Sequence, residues 1–101
     1  MEYLKNETIT EEEQELVKEN GEFEEYLQVR YDSRADFYKK ARVIRYNNAI
    51  YLQSYSTIVA KIENGKIIIN GWYSQTTARH INEFLLQNGF DKLTKKQMEG
   101  E

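Results

Sequence analysis

The sequence predicts an α+β fold with an acidic helical region at the amino terminus, a four-stranded antiparallel β-meander and a carboxyl-terminal helix packed on the sheet. Three observations carry this. Glutamate crowds residues 11–25, β-branched and aromatic residues dominate from Ala41 to Asn70, and an apolar stripe of helical spacing follows at Ala78, Ile81, Phe84 and Leu85. At 101 residues and 40% hydrophobic content the chain suits one domain, residues 1–101. Within it, residues 1–30 read as an acidic extension, 31–90 as the sheet-plus-helix core and 91–101 as a polar tail.

Residues 1–9 read as frayed. A helix is expected to begin at Thr10, whose hydroxyl caps it while Glu13 reciprocates in a capping box, and to end at Gly21. Only Leu16 and Val17 are apolar inside it, with Ile9 ahead as a hydrophobic staple, so its buried edge is narrow. Apolar positions 23, 26, 27, 29 and 31 suggest a helical part running into an extended part. Asp32 or Ser33 is expected to open a short helical turn, Ser33 and Asp36 standing at capping-box spacing before Phe37 and Tyr38.

Asn47-Asn48 and Asn64-Gly65 tolerate positive φ and mark two hairpins, giving strands near 41–46, 49–55, 57–63 and 66–70. A two-residue turn at Asn64-Gly65 pairs Glu63 with Lys66, Ile62 with Ile67, Ala60 with Ile69 and Ile58 with Gly71, which makes one face aliphatic and adds an ion pair at the turn. The last helix runs from about Gln75 to Asn88, stops at Asn88-Gly89 and covers the aliphatic face. Phe90 and Leu93 tuck beneath it, and a basic, mobile tail starts at Thr94.

Cysteine is absent, which excludes a disulfide framework or a thiolate metal site and fits a reducing cytoplasm. No apolar run approaches the roughly 18 residues of a membrane span, and early acids exclude a secretory signal. The net charge of -3 conceals a dipole: residues 1–26 hold ten acids and two bases, leaving seven acids and twelve bases in residues 27–101. One end suits a basic partner and the other an anionic one.

Three features bear on function. The first is the run Glu11, Glu12, Glu13, Glu15, Glu19, Glu22, Glu24 and Glu25, which spreads carboxylates over a surface like the phosphates of a nucleic acid and suits a basic groove on a protein partner. The bland alternative is a solvated helix face. The second is the helix start, where Ser74, Thr76, Thr77, Arg79 and His80 favour anions, or simply cap the helix and pack against the sheet beside Trp72. The third is the hairpin face bearing Arg42, Ile44, Tyr46, Tyr51 and Gln53, with Tyr55 continuing the row. Aromatic and basic groups there suit nucleic acid, unless the amino-terminal segment covers them. The single His80 has no Cys partner, no glycine loop cradles phosphate and no ligand set suits zinc, so neither an enzyme nor a cofactor is expected.

The stretches Tyr31-Asp32-Ser33-Arg34-Ala35-Asp36-Phe37-Tyr38-Lys39-Lys40-Ala41, Ser54-Tyr55-Ser56-Thr57-Ile58-Val59-Ala60 and Gly71-Trp72-Tyr73-Ser74-Gln75-Thr76-Thr77-Ala78-Arg79-His80 resemble a poorly characterised family of small proteins from phages and other mobile elements of Gram-positive bacteria. Its most specific part is the Trp-Tyr-Ser-x-Thr-Thr-x-Arg-His block, and the likeness spans roughly residues 31–90. The resemblance implies a setting and no chemistry. Small mobile-element proteins often bind and block host defence machinery, anti-CRISPR proteins being the leading example, while others bind DNA.

The function expected is therefore non-enzymatic inhibition of a host defence nuclease, such as a CRISPR-associated nuclease, by direct binding through the acidic residues. The alternative is a nucleic-acid-binding module using Arg42, Tyr46, Tyr51, Arg79 and His80, with Lys95 and Lys96. A homodimer through an unpaired edge strand is a third outcome.

Overall fold

A computed structural model of the chain describes residues 2–3, 7–33 and 36–100. Its elements, in order, are β1 (Glu2–Tyr3), α1 (Glu11–Asn20), β2 (Glu22–Tyr26), β3 (Ala41–Tyr46), β4 (Ala49–Ser54), β5 (Thr57–Glu63), β6 (Lys66–Ile69), α2 (Gln75–Gln87) and α3 (Lys95–Met98). The α+β class and antiparallel sheet are as expected, but β2 through β6 form five antiparallel strands where the composition suggested four, and β1 adds a two-residue parallel strand beside β6. No described helix is long and apolar enough to cross a membrane.

The extra antiparallel strand comes from residues 22–26, expected as helix. Phe23 and Tyr26 stand three apart, a helical spacing, yet a bulge at Glu24 sets Phe23 opposite Ile44 and Tyr26 opposite Arg42. One unpaired residue thus converts a three-residue spacing into a shared sheet face, and the two rings meet edge to face at 5.0 Å.

A second bulge, at Val59, separates the Gln53–Ile58 pair from Leu52–Ala60. It sends Ile58 to the α1 side while Val59 and Ala60 both join the core beneath α2. The Asn64-Gly65 hairpin has the expected Glu63–Lys66, Ile62–Ile67 and Ala60–Ile69 pairs, but the bulge removes the Ile58–Gly71 pair. Glu63 also turns to Lys61, at 3.2 Å, rather than closing an ion pair across the turn.

The sheet carries two cores. Beneath α2 lie Val43, Leu52, Val59, Ala60, Ile67 and Ile69 against Ile81, Phe84 and Leu85, with Phe90 and Met98 closing the edge. On the opposite face Ile9 and Val17 pack on Ile44, Ala49, Tyr51 and Ile58. Of the residues expected to fray, Ile9 is tied down: it is buried, and the Asn70 amide both accepts its N–H at 2.5 Å and donates to its carbonyl at 3.0 Å. The tail is also ordered as far as Gly100. Thr94 and Gln97 complete a capping box for α3, which buries Met98 and sets Lys95 4.4 Å from the Trp72 ring centroid. The short helical turn expected after Ser33 falls on residues 34 and 35, outside the described residues.

Gly21 alone separates α1 from β2. A Cβ there would stand 2.5 Å from both Ile44 Cγ2 and the Val17 carbonyl, so only glycine lets the chain turn this close to β3. Gly21→Ala is expected to destabilise the fold by about 2 kcal/mol, through displacement of α1, measured by urea unfolding.

Candidate functional site

The acidic surface divides into one anchoring residue and seven displayed ones. Thr10 caps α1 by accepting the Glu13 N–H at 3.1 Å, but the Glu13 side chain does not complete the box. It turns to the sheet, accepting from the Tyr51 hydroxyl at 2.5 Å and the Lys61 ammonium at 2.7 Å. Burial pushes the Glu13 carboxyl up, and the Lys61 and Tyr51 hydrogen bonds with the Lys61 charge outweigh it, so its pKa lies below the usual value. Burial and the Glu13 contact both push Tyr51 upward. Glu13 is a positioning residue for α1.

The other seven remain exposed: Glu11, Glu12, Glu15 and Glu19 on α1, and Glu22, Glu24 and Glu25 on β2. Glu24 pairs with Arg45 at 2.5 Å, both side chains being well solvated. Such an exposed pair contributes little to stability.

The residues of the nucleic-acid alternative do not form one surface: the hairpin tyrosines and the start of α2 are separate groups. Tyr51 is buried under α1 and Tyr46 is half-buried beside it, their ring centroids 6.4 Å apart. Arg42 lies over the Tyr26 ring at 5.4 Å. Tyr55 leaves this face, because its φ of 57° turns the chain between β4 and β5 and its ring lies 5.8 Å from His80. At the start of α2, Ser74 caps by accepting the Thr77 N–H at 3.1 Å. Thr77 and His80 point into the sheet, where Ser54 Oγ lies 3.0 Å from Thr77 Oγ1 and 2.8 Å from His80 Nδ1. Thr76 lines a cavity beside His80. Arg79 leaves by another side of the helix and donates to Asp32 at 2.8 Å, lining a separate cavity of about 420 Å³ with Tyr31, Ser33, Asn82 and Lys92. Lys95 and Lys96 lie on α3.

Among the described residues no group of three or more His, Cys, Asp or Glu is placed to hold a metal ion.

The most constrained polar group escaped the sequence reading. Glu83 is 1% exposed, and its carboxylate accepts the backbone N–H groups of Arg30, Tyr31 and Asp32 at 3.1, 3.0 and 2.8 Å and the Gln87 amide at 2.7 Å. Its one sequence signal is position: it stands three residues after His80 and directly before Phe84, on the buried arc of α2. Burial pushes its pKa up, but the Gln87 bond and three amide bonds outweigh this, leaving it lowered. A carboxylate whose folded pKa is depressed stabilises the fold fully above the unfolded value and loses that contribution as pH falls through the folded one. Stability should therefore decline on acidification below the ordinary glutamate range. Glu83→Gln should cost about 3 kcal/mol near neutral pH and flatten the acid decline, Glu13 supplying what slope is left; urea unfolding across a pH series checks both.

Known proteins supply little chemistry for this arrangement. No curated protein and no solved structure matches the chain. One family model does, over residues 26–100, which takes in β3 to β6, α2 and α3 and leaves α1 outside. That match spans most of the sequence, and the chain belongs to the family it describes, a family of unknown function (DUF8033).

Proposed function

We propose that the protein acts by stoichiometric binding and that the acidic surface of α1 and β2 occupies the nucleic-acid groove of a host defence nuclease, in the manner of an anti-CRISPR protein. The observation that carries this is the display of carboxylates on an anchored helix. Glu11, Glu12, Glu15 and Glu19 are exposed on a helix whose inner side is held by Val17 packing and the Glu13–Tyr51–Lys61 contacts. Those four acids span about 12 Å of helix axis at 1.5 Å per residue. Their mean axial separation of about 4 Å compares with the roughly 3.4 Å per charge along one strand of DNA. A helix already seated on the sheet loses little backbone entropy when it meets a basic groove, so more of the attraction is retained as affinity and as faster encounter.

A homodimer through the free edge of β2 is disfavoured by the same charges. Pairing two copies there would set Glu22, Glu24 and Glu25 against their equivalents, and the bulge further interrupts the edge. The resemblance to mobile-element proteins supplies the setting, and the acidic display supplies the mode of binding.

The test is a cleavage assay with a panel of RNA-guided nucleases. Glu11→Gln, Glu12→Gln, Glu15→Gln and Glu19→Gln combined should raise the half-inhibitory concentration by about ten-fold or more without changing the unfolding midpoint. Glu13 is left intact because its loss would loosen α1. Undiminished inhibition by this variant would refute the mimicry, and a panel on which the native protein has no effect would refute the inhibitor reading for those nucleases.

A further inference from the structure

The turns of this chain use two kinds of residue at left-handed backbone positions. Asn47-Asn48 and Asn64-Gly65 carry the asparagine and glycine that a two-residue hairpin turn favours. Tyr38 (φ 53°), Lys39 (φ 62°) and Tyr55 (φ 57°) do not. A Cβ makes that conformation costly for bulky side chains, and it persists only where the surroundings impose it. The turn at Tyr38-Lys39 is closed by Lys40 N–H donating to the Phe37 carbonyl at 2.9 Å and is preset by Tyr38 N–H donating to Asp36 Oδ1 at 2.8 Å. The strain gives no core packing in return for Tyr38, which is 72% exposed, and little for Tyr55, at 52%.

Both tyrosines border one cavity of about 270 Å³, lined also by Asp36, Phe37, Lys40, Thr76 and His80. Its floor is aromatic: His80 lies edge to face on Phe37 at 4.5 Å and tilted by 38° to the Tyr55 ring at 5.8 Å. Lys40 brings a cation to the rim, and the ammonium of neighbouring Lys39 lies 5.6 Å from the Tyr26 ring. Asp36 is the carboxylate among the lining residues, engaged by the Tyr38 amide. All of these residues lie inside the segment that matches the family, whereas α1 does not.

We infer that this cavity is a nucleotide site that stacks one unpaired base between Tyr38 and Tyr55 and places its phosphate at Lys40. Its size suits a single planar ring rather than a larger ligand. Exposed tyrosines supply sequence-tolerant stacking faces, and the lysine supplies the phosphate contact. The site is separate from the acidic surface and does not rest on the inhibitor reading. A free nucleotide and a nucleotide within a single strand present the same chemistry.

The experiment uses the full chain and two probes, a fluorescein-labelled short thymidine homopolymer followed by anisotropy and free thymidine monophosphate followed by amide chemical shifts. Saturable binding with shifts at Tyr38, Tyr55 and Thr76 is expected. Response to the monophosphate alone identifies the free nucleotide as the source, and response only to the homopolymer identifies an unpaired strand. Tyr38→Asn combined with Tyr55→Gly installs the residues those turns favour, so it should keep or raise the unfolding midpoint while weakening binding about five-fold or more. Lys40→Gln should weaken binding and reduce its salt dependence. The proposal is overturned if neither probe binds at millimolar concentration, if a duplex of equal length binds as well as the single strand, or if the double variant binds undiminished. It is equally overturned if the double variant abolishes nuclease inhibition while neither probe binds the native protein, since the rim would then be a protein contact.

Discussion

A carboxylate buried in an apolar core is unfavourable unless its oxygens are fully engaged, and Glu83 meets that condition with the backbone of another part of the chain. The amides of Arg30, Tyr31 and Asp32 converge on it from the segment between β2 and β3. This ties the outermost long strand of the sheet to α2 by a route independent of strand pairing. Gln87 extends the tie by donating to both the Glu83 carboxylate and the Gln28 carbonyl, and Arg79 extends it by donating to Asp32. Much of what surrounds the start of α2, including both cavities there, depends on where this segment is held.

The opposite face of the sheet is organised by a second carboxylate on different terms. Glu13 is partly solvated and engages side chains, the Tyr51 hydroxyl and the Lys61 ammonium, instead of backbone amides. The two acids therefore do separate jobs: Glu83 holds a loop to a helix, and Glu13 seats a helix on the sheet. Around Glu13 the remaining glutamates of α1 point outward, so one capping-box position supplies the anchor for the charges displayed beside it.

The family match divides the molecule along this line. Residues 26–100 include the Glu83 tie, the Ser54–Thr77–His80 contacts and the strained Tyr38 and Tyr55 turns, while the acidic helix lies outside. The acidic surface of α1 thus stands apart from the matched segment. The cavity between Tyr38 and Tyr55 lies inside the matched segment.

Local rules of sequence determined a good deal of this protein. Turn chemistry at Asn47-Asn48 and Asn64-Gly65, the caps at Thr10 and Ser74, and the stripe Ile81, Phe84 and Leu85 depend on neighbours a few residues away, and their elements appear where the spacing puts them. Tertiary structure decided what depended on distant partners. The bulge at Glu24 made a strand of a helical spacing, Asn70 tied down Ile9, and Met98 drew the tail into the core. Glu13 and Glu83 read alike in sequence as glutamates on helices. Only Lys61 and Tyr51 in one case, and three backbone amides about fifty residues away in the other, separate them from the acids that face solvent, because a charge is buried only where folding delivers the donors that replace its water.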